Sequence, residues 1–234
     1  MIILYGAEPM WGLPDPSPFV TKVEILLKIA HLPYEKHKAD FPKAPKGKIP
    51  YLGDDGQLIP DSTLIRFHLE KKYGVNFDKD GNAEDVAVGW AFEKLCEDNL
   101  YFSLIHDRWL IDENFYKGPV HFFNKAPRFL RPLIIRIFRR KVRTSLHAQG
   151  NGRYTAEERL EIASRSLQEL ANYLSSRPFI GGAQPIGADA SIFAMIWGLQ
   201  NPYFKSAIGD MVRCQPPLMN YIHRMLERYY PNGV

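Results

Sequence analysis

The hydrophobic pattern changes near residue 76, and this change constrains the fold more than any other feature. Before it, short apolar runs typical of strands (MIILY, YEKHKAD, IPYL and QLIP) alternate with two helical patterns, one from about Pro18 to His31 and one ending at Gly74. After it, helical periodicity continues almost to the end of the chain. The order β-α-β-loop-β-β-α predicts an α/β domain over residues 1–76 and an all-helical domain over residues 83–234.

The second half opens with a long amphipathic segment that begins AEDVAVGW. Its periodicity predicts that the following side chains face the core: Val86, Trp90, Phe92, Leu95, Leu100 and Leu104. Further on, Thr155 precedes a helical run and Glu158 follows three residues later, which predicts a capping box. We expect no internal repeat and no low-complexity segment.

Composition excludes several classes of protein. With 45% apolar and 24% charged residues, the chain of 234 residues is typical of a globular protein. Its two cysteines, Cys96 and Cys214, are too few for a disulfide framework or a cysteine-based zinc site, and we expect both to be buried and unreactive. The apolar N-terminus lacks a basic leader, and no run of 18 apolar residues occurs, so a cytoplasmic protein without a metal site is expected.

A proline-rich loop runs into the first helix, and Ser17 stands at the junction. In one large group of folds this turn carries a reactive cysteine in a Cys-Pro-x-Cys arrangement, whereas here the letters are Ser-Pro-Phe-Val. The turn is therefore either a catalytic site whose sulfur comes from elsewhere or an inactive copy of one. Tyr5 and Trp11, in or just before the loop, are alternative groups that would face such a sulfur.

Two further segments carry polar groups that suit a peptide-like ligand. Proline removes a donor from a β-ladder, so Pro50 marks the start of a strand; a cis bond would turn the backbone of Ile49 outward to pair with an extended peptide, while a trans bond would not. Asp61 and Ser62 lie at a helix N-terminus, where backbone N–H groups attract a carboxylate. Either residue alone would also serve as a simple helix cap.

Taken together, these three segments resemble the N-terminal domain of glutathione transferases. The stretches SPFVTKVEILLKIAHLPYE, KGKIPYL and DSTLI, with DNLYFSLIHDRW and LHAQGNGRYTAEE in the helical half, are similar to the metaxin-like and failed-axon-connections-like branch of that superfamily. The resemblance covers nearly the whole chain. It implies the glutathione transferase fold: an α/β thioredoxin-like N-terminal domain that binds glutathione, followed by an all-α helical domain that lines the second-substrate site.

The resemblance also implies roles for individual residues. Ser17 would be the catalytic residue and would donate a hydrogen bond to the thiolate of glutathione, the expected co-substrate. Ile49 would pair with the cysteinyl backbone, while Asp61 and Ser62 would hold the γ-glutamyl ammonium and carboxylate groups. The expected glutathione-binding residues are Lys48, Ile49, Pro50, Asp61 and Ser62.

The second substrate would be a small, apolar electrophile bound where the helical half faces the cleft. The candidates for its pocket are Trp11, Tyr101, Arg108 and Trp109. One feature departs from the family pattern: Ile186 stands where many of these transferases have a capping Ser or Thr three residues before a buried Asp, here Asp189.

The segment RFLRPLIIRIFRRKVR carries seven Arg or Lys residues around an apolar stripe. Such a helix can bind membrane surfaces, acidic partners or nucleic acid, but we expect a solvated helix or one side of a homodimer contact. Nucleic acid and membrane contacts are not expected. The favoured function is a glutathione transferase of unknown electrophile, and the alternative is a non-catalytic metaxin-like adaptor for protein or membrane-surface interaction.

Overall fold

The computed structural model describes residues 1–233 and begins with the expected α/β half. Four strands form one mixed sheet in the order β2-β1-β3-β4, with β2 parallel to β1 and the other neighbours antiparallel. The strands are β1 (Ile2–Gly6), β2 (Tyr34–Lys38), β3 (Tyr51–Asp54) and β4 (Gln57–Pro60). Two helices, α1 (Pro18–Ile29) and α2 (Ser62–Tyr73), complete this half.

The rest of the described chain is helical, which confirms the predicted fold class. Its α-helices are α3 (Ala83–Leu95), α4 (Tyr101–Leu110), α5 (Asp112–Lys117), α6 (Arg131–Gln149), α7 (Ala156–Leu174), α8 (Gly187–Gln200), α9 (Ala207–Arg213) and α10 (Pro216–Tyr229). The capping box is present, since Thr155 Oγ1 accepts from Glu158 N at 3.2 Å and Glu158 Oε2 accepts from Thr155 N at 2.8 Å. Helices α5 and α9 have too few residues to show a clear period in the sequence.

Helices α1 and α8 join the two halves in one continuous core. Every residue of α8 from Gly187 to Leu199 is buried, so this helix is enclosed on all sides and lies at the centre of the molecule. At the sheet, a Cβ atom at Gly6 would lie 2.6 Å from both Asp15 Oδ2 and Val20 Cγ1. Only glycine therefore permits β1 to approach the loop and helix that follow it.

The predicted core face of the long segment was wrong at Trp90, which is 43% exposed. Two carboxylate residues, Glu93 and Glu97, are buried instead. Both contact the buried Lys22 of α1, and the helix widens into a π-turn over Cys96–Leu100. Periodicity did not predict these buried carboxylates, because their partner Lys22 lies in the other half of the chain.

Two smaller expectations had different outcomes. Cys96 is buried, but Cys214 is exposed, because it caps the C-terminal end of the short helix α9. Asp189 is fully buried and accepts hydrogen bonds from Ile180 N at 3.0 Å, Ile186 N at 2.8 Å and Tyr221 Oη at 2.8 Å. The missing hydroxyl at Ile186 is replaced by its own backbone carbonyl, which accepts from Asp189 N.

Candidate active site

The sheet brings the three predicted segments to one edge. Tyr5 of β1 lies opposite Tyr51 of β3, and Tyr51 lies opposite Pro60 of β4. The end of β1, the start of β3 and the end of β4 are therefore neighbours. The carbonyl of Pro50 accepts a hydrogen bond from Asp61 N at 3.3 Å, which links two of the segments directly.

The Ile49-Pro50 peptide bond is cis. Ile49 is half-buried, and its backbone N–H and C=O have no hydrogen-bond partner among residues 1–233. Backbone groups in such a position are normally paired with protein, water or ligand. Lys48 is exposed immediately before this unpaired backbone.

Asp61 and Ser62 have different roles at the start of α2. Asp61 has a φ of 68° and caps the helix, since its Oδ1 accepts from Thr63 N at 2.9 Å and from Leu64 N at 3.4 Å. Ser62 is only 4% exposed, yet within the described chain neither its N–H nor its hydroxyl has a partner. This pair of donors at a helix N-terminus is suited to a carboxylate.

Ser17 is the N-cap residue of α1 and is half-buried. Its hydroxyl makes no hydrogen bond to any of the described residues, so it is free to donate. The loop before it is fixed by Asp15, whose carboxylate accepts from Ala7 N at 2.7 Å and Ser17 N at 2.9 Å and lies 3.3 Å from Lys36 Nζ. Burial raises the pKa of Asp15, against the attraction of Lys36.

Asp15 was not identified as a site residue from the sequence. The signal was present, because an Asp two residues before a Ser at a helix start is the pattern of an Asx turn. Tyr5, named as an alternative to Ser17, stacks on Tyr51 with ring centroids 4.4 Å apart. Because Gly6 faces α1 across the sheet, the alternation of side chains places Tyr5 on the opposite face, away from the start of α1.

Arg108 lies under the loop that carries Ser17. It is 4% exposed and donates to Pro16 O at 2.8 Å and Gly198 O at 2.9 Å, and no carboxylate of the described chain forms an ion pair with it. Its guanidinium carbon is 5.5 Å from the ring centroid of Trp11 and 5.0 Å from that of Phe204. Burial lowers the pKa of Arg108 to about 10.

The other second-substrate candidates lie around this arginine. Tyr101 packs edge-on against Phe19, near the start of α1, with centroids 4.7 Å apart. Trp11 and Trp109 both pack against Phe122, with ring centroids 5.7 and 6.2 Å from that of Phe122. Trp11, Tyr101 and Arg108 therefore lie close to the start of α1, while Trp109 is one ring farther away.

The family model described as the glutathione S-transferase N-terminal domain matches residues 18–114, and that of the C-terminal domain matches residues 163–225. The isoprene-epoxide–glutathione S-transferase of Rhodococcus sp. strain AD45 is 30% identical over 98% of this chain and 99% of its own length. The chain belongs to the glutathione transferase family.

A second relative of this chain is the Failed axon connections protein of Drosophila melanogaster. It is 29% identical over 99% of this chain, and the match spans 59% of its own length. This match confirms the resemblance to the failed-axon-connections-like branch.

Solved structures share the fold of this chain. The β-etherase LigF of Sphingobium sp. strain SYK-6 aligns over 99% of both chains with a TM-score of 0.70 and 20% identity. A family member from Pseudomonas fluorescens, solved with two glutathione molecules bound, aligns over 96% of this chain and 88% of its own with a TM-score of 0.58 and 21% identity. In residues 1–233, helices that combine the length and apolar character needed to cross a membrane are absent.

Proposed function

We propose that the protein is an active glutathione transferase that binds glutathione along the sheet edge and directs its thiolate at a small electrophile. The observation that carries the proposal is the set of unpaired polar groups at that edge. They are the Ser17 hydroxyl, the Ile49 backbone, and the Ser62 N–H and hydroxyl, none of which has a partner within residues 1–233. A peptide ligand of three residues would satisfy all of them together.

Glutathione would lie with its γ-glutamyl carboxylate at the start of α2. The Ser62 N–H and hydroxyl would donate to this carboxylate, and the outer oxygen of the Asp61 carboxylate, which accepts no bond in the described chain, would accept from the ammonium group. The cysteinyl backbone would pair with Ile49. Lys48, exposed next to it, would reach the glycine carboxylate.

The thiol would then lie at the start of α1. A thiol has a pKa of about 8.5, and a helix N-terminus lowers it. A hydrogen bond from the Ser17 hydroxyl favours the thiolate further, so Ser17 acts as a donor and not as a base. Arg108 adds a buried positive charge beneath the same loop, bonded to the carbonyl of Pro16, the residue before Ser17.

The electrophile would bind over Trp11 and Tyr101, between the start of α1 and the aromatic side chains of the helical half. Aromatic rings supply apolar contact with few rotatable bonds. The Rhodococcus relative is named for an epoxide of isoprene, a small apolar electrophile. We therefore infer a small epoxide or similar strained electrophile as the class of second substrate.

An adaptor role is the second candidate. It is favoured by the similarity to the Failed axon connections protein, whose name describes no transfer reaction. The two functions differ in what Ser17 must do, because an adaptor would not need a hydroxyl at the start of α1.

Calorimetric titration with glutathione tests the binding step. Replacement of Ser62 by Ala removes one hydrogen bond to a charged group, worth about 1.5–3 kcal/mol, so we expect Kd to rise about tenfold or more. Ser145→Ala, at an exposed position on α6, is the control and should leave Kd unchanged. Undetectable binding by the unmodified protein would refute the transferase function.

Turnover with a small epoxide tests the chemistry. The Ser17→Ala variant should bind glutathione with similar affinity, while the pKa of the bound thiol, followed by thiolate absorbance, should rise by about one unit. Tight binding with no turnover of any epoxide, and no effect of Ser17→Ala on the thiol pKa, would instead support the adaptor role.

A further inference from the structure

The positive charge of the chain is concentrated in one stretch. Residues 114–156 carry ten Lys or Arg side chains and no Asp or Glu. The whole chain has 30 Lys and Arg against 26 Asp and Glu, so the remainder has 20 against 26 and a net charge of −6. The excess of cations is therefore a local feature and not a general property of the surface.

Helix α6 carries most of these cations along an open groove on the side facing α5. The groove has a volume of about 810 Å³. Six arginines line it: Arg128, Arg131, Arg136, Arg139, Arg140 and Arg143. Since like charges this close repel one another, the arrangement costs free energy unless anions occupy the groove.

Two of the six arginines are held by the protein. Arg139 donates to the carbonyls of Trp109 and Leu110 and to Asp112 Oδ1 at 2.6 Å. Arg131 donates to the carbonyl of Asn124 at 2.8 Å, but its Nε is buried and has no partner within residues 1–233. Arg131 and Arg139 are therefore held in place by the protein where they line the groove.

The other four arginines of the groove are exposed, and the part of the chain that the structure describes gives them no carboxylate partner. These are Arg128, Arg136, Arg140 and Arg143. Asp112 is the one carboxylate in residues 1–233 that pairs with any arginine of the groove. Guanidinium groups match phosphate oxygens in bidentate geometry, and several of them around one space fit more than one phosphate.

We propose that this arginine-lined groove between α5 and α6 binds a ligand that carries at least two phosphate groups. The ligand is either a soluble polyphosphorylated compound or the headgroup of an anionic phospholipid. Leu133 and Ile137 are 56% and 45% exposed on the outward side of α6 and would touch a lipid bilayer in the second case. A second copy of the chain fits poorly, because its own α6 would bring the same positive charge.

The experiment has two arms with the full-length protein. One is calorimetric titration with inorganic triphosphate, and the other is cosedimentation with phosphatidylcholine vesicles that contain or lack phosphatidylinositol 4,5-bisphosphate. The Arg140→Glu/Arg143→Glu variant should weaken binding at least about tenfold in whichever arm shows it. The control, Lys79→Glu/Arg165→Glu, makes the same change in net charge at exposed positions outside the groove and should lose less than about threefold.

A second variant identifies the source of the phosphate. Leu133→Ser/Ile137→Ser should abolish vesicle binding while triphosphate binding persists if a lipid is the ligand, and should change neither if the ligand is soluble. Absence of binding in both arms, or equal losses in the groove variant and the control, would overturn the proposal. Tighter binding of a single-stranded oligonucleotide than of triphosphate and vesicles would assign the groove to nucleic acid and would also overturn it.

Discussion

The buried ammonium group of Lys22 offers the sharpest test of how the two halves are held together. Its Nζ lies 2.9 Å from Glu93 Oε1 and 2.6 Å from Glu97 Oε1, and its side chain has no exposed surface. We predict that Lys22→Met, which keeps the length of the side chain but removes the charge, strongly destabilises the fold. The substitution leaves two carboxylates buried at the junction of α1 with the helical half.

The magnitude follows from the geometry. At an effective dielectric constant of about 20, the 2.6 Å contact with Glu97 corresponds to about 6 kcal/mol of direct attraction. Desolvation of the ammonium group offsets part of it, so we expect a net loss of about 3–5 kcal/mol, as for other buried pairs that lose one partner. Lys94→Met is the matched control: Lys94 contacts the same two carboxylates but is 28% exposed, and its loss should be about 0–1 kcal/mol.

Urea unfolding at two pH values completes the test. Burial raises the pKa of Glu97, but attraction and hydrogen bonds from Lys22, with hydrogen bonds from Lys94 and Ser191, outweigh burial and hold it below its ordinary value of 4.5. In the unmodified protein this contribution is present above pH 4.5 and is lost as the pH falls through the lower folded pKa.

Without Lys22 the pKa of Glu97 should rise above its ordinary value. Acidification should then protonate Glu97 and reduce the destabilisation of the variant. The difference in unfolding free energy between the two proteins should therefore shrink from pH 7 to about pH 4. Equal losses for Lys22→Met and Lys94→Met, with no dependence on pH, would refute this reasoning.

Three further predictions concern the site and the core. Arg108→Met should raise the pKa of the bound glutathione thiol by about one unit, measured from thiolate absorbance, and a value unchanged from the unmodified protein would exclude an electrostatic role. Because burial raises the pKa of Asp189 to about 6, its contribution to stability is greatest below its ordinary pKa and declines as the pH rises through about 6. The stability of the unmodified protein relative to Asp189→Asn, from urea unfolding, should fall by about 2 kcal/mol between pH 4 and pH 7, and a flat difference would contradict this. Gly6→Ala should reduce the free energy of unfolding by about 1–3 kcal/mol and lower the melting temperature, because its Cβ would clash with Asp15 and Val20. An unchanged melting curve would show that the loop moves to accept the Cβ without cost.

The sequence predicted features that are encoded locally. The order of strands and helices, the capping box at Thr155 and the start of α2 at Asp61 depend on residues a few positions apart, and the structure confirms them. The shared edge of the three site segments followed from the resemblance, and the sheet register now explains it. Such features are predictable because the residues that start and end a helix or strand lie next to it in the sequence.

Features that depend on distant partners were not predictable in the same way. Glu93 and Glu97 are polar letters that periodicity assigns to a surface, yet Lys22, about 70 positions earlier, makes their burial favourable. Trp90 lies at the surface beside this cluster, where its ring stacks on Phe67 with centroids 6.5 Å apart and Lys94 Nζ lies 4.5 Å from its centroid. A hydrophobic pattern predicts that polar residues lie at the surface. A buried ion pair is an exception that the pattern does not show, because its two partners meet only in the folded chain.

The replacement of a thiol by Ser17 limits the chemistry that the proposed function allows. Thiol–disulfide exchange proceeds through attack by a protein thiolate, and a hydroxyl at the start of α1 cannot form a mixed disulfide with glutathione. Cys96 does not substitute for it, because burial raises its pKa far above the ordinary value, and Cys214 caps α9 in another part of the chain. In the proposed function a free hydroxyl, a helix N-terminus and the buried charge of Arg108 would instead combine to stabilise a negative sulfur on the ligand. Under the proposed function the nucleophile would belong to glutathione, and the protein would supply no thiol of its own at the start of α1.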